Sequence, residues 1–130
     1  MKPRDVGTVA AVLLLHATCG ADGAETRFPI PGEDGPRVTV EVLNAAGVDG
    51  LARRLTERLR REGLDVVYFG SAAEAVDSTQ ILIRRGDASA ATRVRNALGV
   101  GRIVEAPDPR LLLDVTVVLG PDAAALDRHP

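Results

Sequence analysis

Val38-Thr39-Val40-Glu41-Val42-Leu43 alternates apolar and polar positions and is rich in β-branched residues, which predicts a strand with one buried face. Asn44 to Gly50 follows as a loop of small residues, and Asp49 is the expected N-cap of a helix. On a wheel of 100° per residue, Leu51, Ala52, Leu55 and Leu59 fall within an arc of about 100°. Arg53, Arg54, Glu57, Arg60 and Arg61 lie on the other side, and Gly63 is placed to stop the helix. Leu64 to Phe69 reads as a second strand, Gly70 to Ser78 as a connection with room for one helical turn, and Thr79 to Arg84 as a third strand. Asp87 caps a second expected helix whose apolar face is Ala90, Ala91, Val94, Ala97 and Leu98, with Gly99 at its end. Arg102 to Glu105 is a short strand punctuated by Pro107 and Pro109, and Val115 to Leu119 is the last. The segment 121–130 is expected to be a frayed tail.

The order β-α-β-β-α-β-β implies an α+β sandwich, ferredoxin-like, with two helices packed on one face of a mixed sheet. Right-handed crossovers place both helices on the same side. Val115 to Leu119 is the more apolar of the last two strands and so the expected inner one.

The first residues have a different pattern. Lys2 and Arg4 precede an apolar run from Val6 to Leu15, which has the length of a signal peptide and falls short of the roughly 20 residues a membrane span needs. Residues 1–19 are therefore expected to be an export leader. Cys19, the sole cysteine, follows Leu15-His16-Ala17-Thr18. Two readings stand: a lipoprotein signal whose Cys19 is lipidated, or an ordinary signal cut between Ala17 and Ala21. The place of the sole cysteine favours the first, although Thr18 and His16 depart from the usual small and aliphatic residues. Residues 20–37 contain Gly23, Pro29, Pro31, Gly32, Gly35 and Pro36 among acidic residues and predict a flexible tether, leaving 38–120 as the domain. The expected location is outside the cytoplasmic membrane or in a periplasm, anchored by leader or lipid.

Composition narrows the chemistry. A formal charge of −2 is too small to suggest a nucleic-acid or polyanion binder by itself, and one cysteine rules out an intrachain disulfide. The histidines are His16, in the leader, and His129, next to the end, so the domain has no histidine base, dyad partner or metal ligand. The acids show no paired spacing, with Asp108 and Asp114 the closest approach to a cluster. No catalytic residue, metal site or cofactor is expected. The Asn44 to Gly50 loop precedes a helix, as phosphate loops do, but it lacks the lysine and glycine spacing of such loops. A structural loop is expected instead, with Asn44 bonding its own backbone and Gly47 and Gly50 relieving strain. Arg53, Arg60 and Arg61 are the candidate contacts to an anionic surface. The plainer alternative is a solvated face with i,i+4 pairs Arg53–Glu57, Glu57–Arg61 and Arg58–Glu62.

Val40-Glu41-Val42-Leu43-Asn44-Ala45-Ala46-Gly47-Val48-Asp49-Gly50-Leu51-Ala52 resembles the opening signature of the LytR C-terminal domain family. Asp114-Val115-Thr116-Val117-Val118-Leu119-Gly120 is similar to its closing strand. The resemblance spans about Val38 to Gly120. Ala45-Ala46 departs from the family's usual glycine and small polar residue. The resemblance implies a cell-envelope setting and an accessory role, with cell-wall polymer, anionic lipid or an envelope protein as partner. It does not carry over the phosphotransferase activity of the module that often precedes this domain, because only a tether lies between leader and domain here. The competing expectations are a nucleic-acid-binding module and a small hydrolase. The first needs several stacking aromatics on the open sheet face, where Tyr68 and Phe69 supply only one, and the second lacks histidine. No nucleic acid is expected.

Overall fold

The computed structural model describes residues 28–33 and 35–128, so Cys19 and both histidines lie outside the described residues. The elements are β1 (Thr39–Asn44), α1 (Leu51–Arg61), β2 (Asp65–Ser71), β3 (Gln80–Ile83), α2 (Ala88–Leu98), β4 (Arg102–Glu105), β5 (Val115–Leu119) and α3 (Pro121–Asp127). They form one sheet in the order β2-β1-β5-β3-β4. β1 runs parallel to both β2 and β5, while β3 is antiparallel to β5 and parallel to β4.

This is the expected α+β class with a different strand arrangement. In a ferredoxin-like sheet each βαβ unit is split, with another strand between its two parallel strands. Here β1 and β2 are direct neighbours, and so are β3 and β4. Two unsplit βαβ units lie side by side in opposite directions, with β5 between them. They also step outward in opposite directions, so a single crossover hand puts both helices on one face. α1 and α2 do pack against each other there.

Alternation along the strands supplies the core. Val40, Val42, Val66, Ile81, Ile83, Val115 and Val117 turn inward and are buried. Leu51, Leu55 and Leu59 of α1, with Ala91, Val94 and Leu98 of α2, close over them. β5 is central, as its apolarity implied. α1 ends at Gly63, which is left-handed at φ +83°; its N–H donates to the Arg60 carbonyl and that of Leu64 to the Leu59 carbonyl.

Three local expectations are corrected. The N-cap of α1 is Gly50 at φ 75°, with no side-chain cap, because the left-handed glycine turns the chain into the helix and leaves Asp49 outside it. The end of the chain holds α3 instead of a frayed tail. Pro121 occupies the first turn, where its missing N–H costs nothing, and Ala123 and Ala124 are buried against the core. β2 continues through Gly70 to Ser71, and the connection from Ala72 to Thr79 carries no helical turn. Glycine suits position 70 because the Tyr68 ring lies over it; a Cβ there would stand 2.7 Å from the phenol oxygen.

Candidate binding surface

The loop after β1 satisfies itself. The Asn44 side-chain amide donates to the Val48 carbonyl at 2.7 Å, and its oxygen accepts the Ala46 N–H at 3.0 Å. Gly47 and Gly50 are both left-handed, at φ 71° and 75°. Both polar ends of Asn44 are thereby engaged in holding the loop. With Ser71 to Ala75 the loop borders a cleft of about 380 Å³ whose charged residues are Asp49 and Glu74, a poor setting for an anion.

α1 carries five arginines against one glutamate. Its arginines have divided roles. Arg54 donates to Asp127 at 2.7 Å and to the Asp49 carbonyl at 3.2 Å, tying α1 to α3. Arg60 donates from Nη2 to the Val66 carbonyl at 2.7 Å, which fixes it against β2 and removes it from the free set expected with Arg53 and Arg61. Arg53 and Arg61 are exposed, and neither has an acidic partner within ion-pair distance among the described residues. The expected pairs Arg53–Glu57, Glu57–Arg61 and Arg58–Glu62 are not formed. Pairing in full solvent gains too little to fix two long side chains. Half-buried Arg58 lines a groove between α1 and α2 with Glu62, Arg93 and Asn96.

A second basic region lies near the start of α2, in a cleft of about 400 Å³ bordered by Arg37, Arg85, Arg93, Asp87 and Asp114. Here every arginine is engaged. Arg37 pairs with Asp65 at 2.7 Å, Arg85 with Asp114 at 2.9 Å, and Arg93 donates to the Pro36 carbonyl at 2.9 Å. Burial works to raise the Asp114 carboxyl. The Thr39 N–H, the Arg85 guanidinium and the Thr39 hydroxyl outweigh it and hold the group below its ordinary value. Asp87 is also held low, by the hydroxyl and N–H of Ser89, and serves as the cap of α2.

The Asp114 contacts belong to a device that repeats. Thr39, at the entry of β1, donates its N–H (2.9 Å) and hydroxyl (3.1 Å) to Asp114 Oδ2, and the Asp114 N–H returns a bond to the Thr39 hydroxyl at 3.0 Å. Thr79, at the entry of β3, donates its N–H (2.9 Å) and hydroxyl (2.6 Å) to Asp122 Oδ1, and the Gly120 N–H donates to the Thr79 hydroxyl at 3.0 Å. One clasp closes each end of β5. Asp108 takes no part: Arg110 holds it at 3.1 Å, so Asp108 and Asp114 do not form a site. Among the described residues no three His, Cys, Asp or Glu side chains could share a metal ion. Sequence reasoning missed Arg85, Asp122 and Thr79, since partners 29 to 43 residues apart leave no local signal.

The fold and surface define an α+β domain with a one-sided helix layer, a signature loop that closes on itself and an arginine-bearing first helix. The model of the family described as "LytR cell envelope-related transcriptional attenuator" matches residues 37–122, and the chain belongs to this family. It is 34% identical over 79 residues to the "Cell wall biosynthesis protein LcpA" of Corynebacterium glutamicum, a match covering 60% of this chain and 15% of that protein. The chain thus spans a small part of that relative's length. Among solved structures it resembles the soluble domain of a conserved hypothetical secreted protein from Mycobacterium marinum. The TM-score is 0.52 at 26% identity, covering 73% of this chain and 64% of that one. This is a cell-envelope-associated domain.

Proposed function

We propose that the chain is an exported, non-catalytic module of the cell envelope, tethered outside the cytoplasmic membrane through its leader or a lipid on Cys19. Its proposed work is to bind anionic wall polymer or anionic lipid, or to help assemble an envelope protein there. The observation that carries the reading is the solvent face of α1, where Arg53 and Arg61 stand exposed without acidic partners among the described residues. Near an anionic surface each such cation contributes about 1 kcal/mol, so two acting together give a measurable, salt-sensitive attachment. The secreted and wall-biosynthetic relatives support the setting. The anchoring part is tested by labelling with palmitate: the wild type should take up label and Cys19→Ser should not, and equal labelling would contradict it. The binding part is tested by Arg53→Gln with Arg61→Gln, which should weaken retention on wall polymer while leaving the unfolding transition in place.

A further inference from the structure

The strand directions give the sheet two unlike ends. β1, β2 and β5 start at one of them and β3 and β4 finish there, and at the same end α1 stops and α2 begins. It is also the end where the N-terminal segment enters β1. Leu112 (81% exposed), in the loop before β5, stands at this end with Phe28 (45%) and Ile30 (57%) of the entering segment. The opposite end offers Val48 (37%), while Val67, Tyr68 and Phe69 lie along the outer side of β2.

The entering segment is fastened to the domain. Pro29 lies against Gly63, where an added Cβ would stand 3.9 Å from its ring, and the Glu33 N–H closes a turn on the Ile30 carbonyl at 3.0 Å. Arg93 holds the Pro36 carbonyl, and Arg37 pairs with Asp65. Leu112 is brought to the same place by Asp114, two residues on, whose N–H donates to the Thr39 carbonyl at 3.0 Å. Charge at this end is largely cancelled. Arg37, Arg85 and Arg110 pair with Asp65, Asp114 and Asp108, and Arg61 shares the cleft of the segment with Glu62. What the end presents is apolar contact with little net charge.

The chain before Phe28 indicates what that contact meets. The apolar run 6–15 and Cys19 both precede it. From Cys19 to Phe28 the chain reaches at most about 30 Å. On the reading of the chain as membrane-tethered, on which this inference rests, the entry end is therefore the one held nearest the bilayer. So short a leash keeps the bilayer at a high effective concentration, and side chains too few to hold a free protein suffice. We propose that the domain stands on the outer leaflet of the cytoplasmic membrane by its entry end, with Leu112 and Ile30 inserted at the acyl boundary and Phe28 beside them.

The test is photolabelling of the full chain in membranes from cells that make it, using phosphatidylcholine with a diazirine in its acyl chain. Label mapped by mass spectrometry is expected at 28–30 and 111–113, and about tenfold less at 71–77, at the opposite end. The 111–113 loop is the deciding site, because it is far from the leash in sequence. Leu112→Glu should cut its label about tenfold and Ile30→Glu about threefold, with the unfolding midpoint unchanged in both. Labelling should persist in high salt and in Arg53→Gln with Arg61→Gln, since apolar insertion is not screened. Equal label at 71–77, or none at 111–113 in a chain still held in the membrane, would overturn the proposal and leave the tether standing. Label lost with salt and with the two arginines would overturn it in favour of the basic face of α1. A chain absent from the membrane fraction would overturn both the proposal and the tether.

Discussion

The two βαβ halves of this domain share an architecture and differ in how they are finished. In the second half, α2 is capped by Asp87, ended by Gly99 at φ 92° and followed by a short, charged edge strand. The first half enters its helix through a left-handed glycine with no side-chain cap, carries five arginines on that helix and ends in a long apolar edge. The clasps of Thr39 with Asp114 and of Thr79 with Asp122 hold both halves to β5 in nearly the same way. Cohesion is therefore provided evenly, while exposed charge and exposed apolar surface are concentrated in the first half. That half also bears the family's opening signature.

The sharpest way to break the symmetry is through the helices. Leu55 is 1% exposed at the centre of α1, and Leu55→Ala should cost about 2–5 kcal/mol. Val94, its fully buried counterpart on α2, loses two carbons on truncation to alanine, or roughly 1.5 kcal/mol. Chemical denaturation should show this difference, and equal losses would mean the two helices contribute alike.

The clasps come next. Asp114→Asn and Asp122→Asn should each cost about 1–3 kcal/mol, since each leaves backbone and hydroxyl donors poorly matched. They sit at opposite ends of β5, so the double variant should show the sum within about 0.5 kcal/mol. A clearly smaller sum would show that one clasp cannot hold without the other. Gly120→Ala separates the two halves at this level. A Cβ at position 120 would stand 2.6 Å from the Ser78 carbonyl carbon, so alanine should displace backbone at the second clasp, costing about 1–3 kcal/mol, and leave the first intact.

Acid should sharpen the contrast further. The Asp114 carboxyl is held below the ordinary aspartate value of 3.8, so its contribution is complete above that value and is lost as pH falls through the lower folded value. Wild type should lose part of its denaturant resistance below about pH 4, and Asp114→Asn should lose less over the same range. Urea midpoints at neutral and acid pH give the comparison.

Much of this was legible in the chain itself, for identifiable reasons. The 3.6-residue period of Leu51, Leu55 and Leu59 and the alternation of Val38 to Leu43 are local signals, and α1 and β1 follow them. The apolarity of Val115 to Leu119 pointed to the central strand. Strand order was not legible, because it depends on which half pairs with β5 on each side, and a ferredoxin-like order satisfies the same pattern. α3 was missed because Gly120-Pro121 reads as a stop, whereas proline also begins helices. The clasp partners lie 75 and 43 residues apart, and Arg60 looks like any exposed arginine until Val66 is placed beside it.

The smallest expected change in stability accompanies the most direct test of function. Arg53→Gln with Arg61→Gln should leave the unfolding midpoint unchanged, because neither side chain has an ion-pair partner among the described residues to lose. The decisive measurement is co-sedimentation of residues 28–130, wild type and double variant, with purified wall polymer and with anionic vesicles at low and physiological salt. The account predicts that the wild type sediments at low salt and is released as salt rises, while the double variant stays largely in solution. Equal sedimentation of the two proteins at low salt would show that the arginine face of α1 does not bind the envelope.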